Sequence, residues 1–516
     1  MTVNVLGLRR AELTFPPQFI TESREHPQAR IGSYSTKYLR LLLNSLPLQV
    51  AIEELPDKVL LNIFRYYLDD SPQFWPRLVH VCRRWRFIVF TSQQALQLRL
   101  FCTHGTPVLK TLYCWPALPI LVQYGGSQQL APEDEDNIVA ALRQANRVSS
   151  ISLAVTSSLL EKLSAIETPF SELEDLVLSR NHDSVRLILP SAFQWGPQLR
   201  RLHLTGIAVP ALPRRLSSSK DLVDIHLHDI SNNRYLSPKA LANTLSGMAQ
   251  LQSLSFHFHS TTDYISIRPQ SVEHVILPSL TRLNFRGINK YLEGFLARID
   301  APRLGDIAIT FLRVDESTFS VSNLREFIGR VGLHKSHRQA RMLSSERLIS
   351  ISLIQPGVPT RLKLQLYCEP LRVQLFSMAQ ICFHFSAFLL NVEDLRINAT
   401  RPSRWMDSFY IGQWLQSINS FTGVKQFHIA GNLLNTIVRA LLLPDRRPET
   451  VLPALQKLYI PQAGLRHEPL RNAVRSFTTS RRLSGHPIAV EYERQCHISE
   501  PCGTGAMYTQ STINTR

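Results

Sequence analysis

The chain of 516 residues has no Cys-x-x-Cys pair, and its seven cysteines (82, 102, 114, 368, 382, 496 and 502) are scattered and odd in number. That pattern excludes a disulfide scaffold and predicts free, mostly buried thiols in a reducing compartment. Unbroken apolar runs are lacking too. Arg9, Arg10 and Glu12 interrupt the N-terminus where a secretory signal would need one. The longest apolar stretch, 376–390, carries His384 and small polar residues, so it is expected as a buried helix and not as a membrane span. Gly-x-Ser-x-Gly, the Walker-type Gly-x-x-x-x-Gly-Lys, His-Glu-x-x-His and Gly-x-Gly-x-x-Gly are all absent. No enzyme chemistry and no cofactor are expected. Gly125-Gly126-Ser127 reads as a turn, and His334-Lys335-Ser336-His337 as a basic loop without a metal role.

What remains is a chain with a core: 44% of residues are hydrophobic and 19% charged, with 57 basic residues against 40 acidic ones. Its length suits two or more domains, or one elongated array. The net charge of +17 raises the question of nucleic acid, which the placement of the charges has to answer.

Residues 52–89 are the most specific part. Leu55 precedes Pro56 and is pushed toward extended geometry, while Pro56 suits the first position of a helix. Asp57 adds negative charge at the positive end of the helix dipole. Val59, Leu60, Ile63, Phe64 and Tyr67 recur at helical spacing. A second stretch places Leu78, Val81, Cys82, Trp85 and Val89 on one stripe. Two short helices with this much apolar surface are too small to be stable alone. They must pack on each other and still have surface left for something else.

Leu-Pro, then apolar pairs ending in Ile63-Phe64, then Leu78-x-x-Val81-Cys82-x-x-Trp85: this layout resembles the F-box. The resemblance covers about a tenth of the chain and implies docking on the Skp adaptor of cullin-based ubiquitin ligases. The contact positions it implies are Leu55, Pro56, Val59, Leu60, Ile63 and Phe64, with Leu78, Val81, Cys82 and Trp85 behind them. On this reading Leu60→Asp with Phe64→Ala removes Skp co-purification and leaves the rest folded. The block from Thr103 to Gly126, with Trp115-Pro116-Ala117-Leu118-Pro119 inside it, is similar to a linker of fungal F-box proteins.

Through the rest of the chain a pattern apolar-x-x-apolar-x-apolar returns eleven times, at 148–153, 173–178, 199–204, 222–227, 251–256, 280–285, 304–309, 348–353, 392–397, 424–429 and 455–460. The early spacings lie in the leucine-rich-repeat range, and the longer later ones imply insertions. Each copy predicts a short strand with alternate residues inward, stacked in parallel on the next. Segments 237–247 and 323–332 read as helices returning across the outer face. The Asn or Cys that follows the strand in regular repeats is not consistently present, so an irregular solenoid is expected. Pro132 and the acids 133–136 open a helix that ends near Arg143 and Arg147, matching the macrodipole. Its Ile138, Leu142 and Ala145 would cap the first repeat.

The fold expected is α/β: small all-α F-box helices, then an irregular leucine-rich-repeat solenoid with a curved parallel sheet. Its parts are a loosely ordered extension at 1–45, whose residues 38–43 could fold back on the F-box, and the F-box at 46–97. A linker and capping helix follow at 98–147, the solenoid at 148–466, and a basic, partly disordered tail with Arg471, Arg475, Arg481 and Arg482 at 467–516. In this register the open face carries four acids (Asp175, Asp224, Asp306, Asp394) and four bases (Arg201, Arg282, Arg396, Lys457). A nucleic-acid groove would be mainly basic, so a protein target is expected, on Arg201, His203, Asp224, His226, Arg282, Asp394 and Arg396. His203, His226, His228, His257 and His259 cluster there with Asp224. They are read as histidines tolerated at half-exposed strand positions, with a pH- or metal-sensitive patch as the alternative.

The function expected is a non-catalytic substrate-recognition adaptor, partnered by Skp, the cullin core and an unknown target. It would act in the cytoplasm or nucleus, away from membranes, with nucleic acid an unlikely partner. The alternatives are a binding scaffold without a role in ubiquitylation and a basic nucleic-acid-binding repeat protein.

Overall fold

The computed structural model describes residues 52–493, apart from 125–129, 181–186, 231–235, 259–273, 315–318, 332–336, 356–360, 400–407, 442–449, 463–467 and isolated positions near 192, 210, 313, 369 and 432–440. The expectations for 1–45, Gly125-Gly126-Ser127, His259 and His334 lie outside the described residues. The chain divides into two compact units, Met1–Phe101 and Cys102–Arg516.

In the first unit three helices follow one another: α1 (Asp57–Asp70), α2 (Trp75–Val79) and α3 (Arg83–Thr91). α1 starts one residue after Pro56. Leu60, Phe64 and Leu68, four residues apart, form its buried stripe. Phe64 meets Trp85 of α3, with ring centroids 4.7 Å apart. Trp75 is buried on α2, and its indole N–H donates to the Arg99 carbonyl at 2.7 Å. The second stretch is not one continuous helix as expected. Cys82 is extended, and its sulfur accepts from the Trp85 backbone N–H at 3.5 Å, capping α3. That cap breaks the helix and puts Val81 and Cys82 on the surface between α2 and α3.

The second unit is a long sheet. Its strands are β1 (Ile120–Tyr124), β2 (Val148–Val155), β3 (Asp175–Arg180), β4 (Arg201–Thr205), β5 (Asp224–Ile230), β6 (Ser253–Phe258), β7 (Arg282–Gly287) and β8 (Asp306–Leu312). After them come β9 (Gln339–Ser344), β10 (Leu348–Ile354), β11 (Arg361–Tyr367), β12 (Asp394–Ala399), β13 (Gln426–Gly431), β14 (Lys457–Pro461) and β15 (Ala489–Glu493). Neighbours are parallel from β1 to β8, and β8 then pairs in parallel with β11. The apolar positions stay in register across strands, as in the row Leu176, Leu202, Ile225, Leu254, Leu283, Ile307 and Leu362. Every residue of that row is buried. The repeat is therefore a stack of short strands sharing one continuous core. The fold is α/β, with helices first and then an irregular leucine-rich-repeat-like array.

One copy of the pattern departs from the expectation of parallel stacking. β10, the copy at 348–353, runs antiparallel to both β9 and β11, while β9 pairs in parallel with β12. Only residues 345–347 separate β9 from β10, closed by the Ser345 N–H and Oγ donating to the Leu348 carbonyl at 2.8 and 3.1 Å. A connection that short permits only a hairpin, because a parallel return needs a dozen residues or more. β9 and β11 escape the six-residue template because His337 and Pro359 stand where it requires an apolar residue. His337, read as part of a basic loop, is buried at that position.

The helices expected on the outer face form at Pro238–Leu245 and Ser322–Val331. Ser237 caps the former, accepting from the Ala240 N–H at 3.1 Å. The acid-led helix forms at Pro132–Leu142 and buries Ile138 and Leu142, with Ala145 buried just beyond it. It lies between β1 and β2, so the segment read as a linker supplies a strand paired in parallel with β2. The stretch 376–390 spans the end of the helix Leu371–His384, a break at Phe385 and the helix Ser386–Leu389. Among the described residues no helix is long and apolar enough to cross a membrane. Beyond 467 the chain forms the helix Glu468–Leu483, and β15 adds in parallel to β14.

Candidate functional site

Two surfaces stand out, one on each unit. On the first unit α1 carries a second apolar stripe of Val59, Ile63, Tyr66 and Tyr67, roughly a third of a turn from the buried one. Val59 and Ile63 are each 40% exposed and Tyr66 is 74% exposed. Val81 and Phe87 are exposed as well, Phe87 at 65%. The ten positions carried over from the F-box resemblance thus fall into two groups. Leu60, Phe64, Leu78 and Trp85 are buried within the unit itself. Pro56, Val59, Ile63, Val81 and Cys82 are exposed, and Leu55 is half-buried. Only the exposed group is available to a partner without unfolding the unit.

The entry to α1 is fixed by Arg84, which the sequence reading passed over. Its guanidinium donates to Asp57 Oδ1 at 2.5 and 2.9 Å and to the carbonyls of Glu53 and Leu55 at 2.5 and 2.6 Å. Three groups of the Leu-Pro turn are thereby tied to α3. As an ion pair the contact is exposed and worth little; the carbonyl bonds set the geometry. An arginine between Cys82 and Trp85 gives no signal of this in sequence, whereas Tyr66, three residues from Ile63, does announce the outward stripe.

On the second unit the residues expected to bind a target do not form one group. Arg201 pairs with Asp175 of the neighbouring strand. His203 Nε2 lies 3.1 Å from Asp224 Oδ2, and His226 Nε2 lies 2.9 Å from Asp224 Oδ1. Arg282 stands in register beside Asp306. Asp394 and Arg396 pair at 3.2 Å further along the sheet. His428 lies 3.4 Å from Asp394 and stacks on Tyr459 at 4.0 Å. Six strands separate β5 from β12, roughly 30 Å at ordinary strand spacing. Between the two groups, β9 and β11 add Arg341, Arg361 and Lys363 in the same register as the face residues. The balance of four acids and four bases therefore shifts toward positive charge mid-sheet, with Asp306 set between Arg282 and Arg361.

The histidines form a ladder. His203 and His226 are Cα partners on adjacent parallel strands, and their rings stack at 4.2 Å. His228 and His257 stack at 3.9 Å, nearly coplanar at 7°. His228 Nε2 lies 2.9 Å from Ser255 Oγ. Burial, with His257 and His226 adding to it, pushes His228 down to about 3. Burial again, followed by the charge of Arg286, brings His257 to about 4. That half of the ladder is neutral at physiological pH. Burial opposes ionisation of Asp224, but the imidazoles of His203 and His226, with Ser253, outweigh it and hold the carboxyl well below the usual range.

Residues 52–95 match the F-box-like family. No curated protein matches the chain. Among solved structures it is similar to the leucine-rich repeat-containing protein LegL7 from Legionella pneumophila, at 12% identity, over 74% of this chain and 98% of that one, with a TM-score of 0.26. So loose a superposition adds nothing to what the strand register shows. The molecule thus carries an F-box-like domain at 52–95, followed by a leucine-rich-repeat-like array.

Proposed function

We propose that the chain is the non-catalytic substrate-recognition subunit of a Skp-cullin-F-box ubiquitin ligase. The observation that carries this reading is the outward stripe of Val59, Ile63, Tyr66 and Tyr67 on a unit that already has its own core in Leu60, Phe64 and Trp85. Exposed apolar surface of that extent on so small a unit marks a docking face. The match of 52–95 to the F-box-like family supports the Skp adaptor as its occupant, as does the resemblance of residues 103–126 to a linker of fungal F-box proteins. The array would hold a target on its open face, through the Arg201–Asp224 group, the Asp394–Arg396 group, or both. Chemistry would belong to the partner subunits, with this chain supplying proximity in the cytoplasm or nucleus.

The row Lys363, Arg341 and Arg396 favours an acidic partner and, with the net charge of +17, is what speaks for nucleic acid. Affinity purification of the full chain from cells decides between these readings. Skp and cullin subunits are expected with the wild type and absent with Val59→Asp/Ile63→Asp. Unchanged recovery by that variant overturns the adaptor reading. Recovery of nucleic acid that washes off steeply with salt replaces it with the third reading. A bound protein whose abundance does not rise when the chain is deleted leaves only a scaffold.

A further inference from the structure

We infer that His203, Asp224 and His226 form a binding site for a single divalent transition ion of the zinc class on the open face of the sheet. The inference is separate from the adaptor reading, since its readout is metal on the second unit and not docking by the first. Three observations carry it. First, one donor atom from each of the three side chains falls within 4.8 Å of the other two. Zinc lies about 2.0–2.2 Å from nitrogen and oxygen ligands, so donors around one ion stand up to ~4 Å apart. Small ring rotations bring the three into that range.

Second, the backbone fixes the arrangement. β4 and β5 are parallel and in register with Arg201 opposite Asp224 and His203 opposite His226. Asp224 and His226, two residues apart, share a face of β5. Two imidazoles and a carboxylate therefore converge without any flexible loop. Third, Asp224 Oδ1 is enclosed and receives no aligned hydrogen bond, although His226 Nε2 stands 2.9 Å away. An enclosed carboxylate oxygen on which no N–H is aligned keeps a lone pair available to a cation.

The surroundings suit a cation. Arg201, the nearest fixed positive charge on β4, is matched by Asp175. Two nitrogens and one oxygen select zinc, cobalt, nickel or copper over calcium or magnesium, which prefer all-oxygen shells. His203 and His226 are each about one-third exposed, so the remaining coordination position opens to solvent or to a ligand from a bound partner. An ion shared by adjacent strands would also coordinate a target side chain directly.

The rival account is that Asp224 only accepts hydrogen bonds from the two imidazoles. Zinc titration of the full chain by calorimetry, with metal counted after dialysis, separates the two. The exposed thiols Cys82 and Cys114, together with Cys496 and Cys502 outside the described residues, are first replaced by Ser, because thiols take up zinc themselves. In that background one equivalent is expected to bind. His203→Gln/His226→Gln is expected to abolish it, and the isosteric Asp224→Asn to weaken it by more than roughly tenfold, the lower end of what loss of even an outer-shell group costs. Cobalt substitution should give visible d–d bands that disappear with the same variants. No saturable uptake in that background overturns the inference, and so does uptake unchanged by Asp224→Asn, which keeps the test valid should the double variant fold poorly.

Discussion

Val59 and Ile63 allow docking to be separated from folding. Each is 40% exposed, and burial of a whole Val or Ile side chain yields ~1.5–3 kcal/mol. Covering the remaining two-fifths is therefore worth roughly 1 kcal/mol per residue. Truncating both to Ala should remove about 2 kcal/mol, or roughly a 30-fold rise in Kd for the Skp adaptor. Asp at both positions adds the desolvation of two carboxylates and should abolish docking. Leu60 and Phe64 behave differently, being 0% and 1% exposed. Leu60→Ala costs ~2–5 kcal/mol of internal stability, which a unit of this size cannot spare. Any docking lost by Leu60→Asp with Phe64→Ala would thus be lost through unfolding, so that pair does not test the interface. The assay is titration calorimetry of purified full chain against a Skp adaptor, with circular dichroism on the same samples. Helicity kept and affinity lost is expected for the Val59/Ile63 variants, and both lost together for Leu60→Ala. Affinity of Val59→Ala/Ile63→Ala within about twofold of wild type, well short of the burial figure, would refute the assignment of the outward stripe.

Two further predictions concern the second unit. Glu293 is buried and caps the helix Ser322–Val331, accepting from the Asn323 and Leu324 N–H groups at 2.8 and 3.0 Å. Desolvation, with Glu326 adding to it and the two N–H bonds opposing, pushes its carboxyl up to about 7. The folded state then holds a proton that the unfolded chain releases near its ordinary value of 4.5, so stability falls as pH rises between these values and levels off above them. The fall is on the order of 3 kcal/mol, and denaturant titrations at several pH values should show it in wild type but not in Glu293→Gln. Arg481, fully buried, donates to the carbonyls of Val451, Leu452 and Leu455 at 3.3–3.4 Å. Arg481→Met should cost roughly 1–3 kcal/mol and speed hydrogen exchange across 451–461. It should leave β1–β4 unaffected, because repeats feel only their neighbours; uniform acceleration along the array would contradict this.

The parallel stack was legible because each copy of the pattern states its own register. Leu199, Leu202 and Leu204 can all point inward in only one way, and the neighbouring copies agree. The helix at 132–142 was legible through its acids at 133–136, whereas the cap that starts the helix at 238, Ser237, emerged only from the structure. Burial within α1 was not. Leu60 and Val59 are adjacent, equally apolar and both at helical spacing, and only the position of Trp85 shows which of them faces the core. The cap at Cys82 was hidden too, since cysteine is not an ordinary capping residue. The three donors around Asp224 were visible as a cluster, but their convergence depends on the pairing of β4 with β5 and cannot be read from spacing alone.

The reversed strand has the largest consequence for function. Between β8 and β12 the sequence template registers only β10, whose open-face positions Ser350 and Ser352 are uncharged and buried. The strands it misses contribute Arg341, Arg361 and Lys363. A hairpin inserted into a parallel stack keeps the apolar rows in register, because alternation is unaffected by direction. The core therefore accepts the insertion while the open face changes composition. That places the cationic part of the array between its two acid-containing groups, at Asp224 and Asp394. A target matching this face would carry acidic groups at its middle and basic or metal-binding groups toward the β5 end, a polarity that a uniformly anionic polymer cannot satisfy.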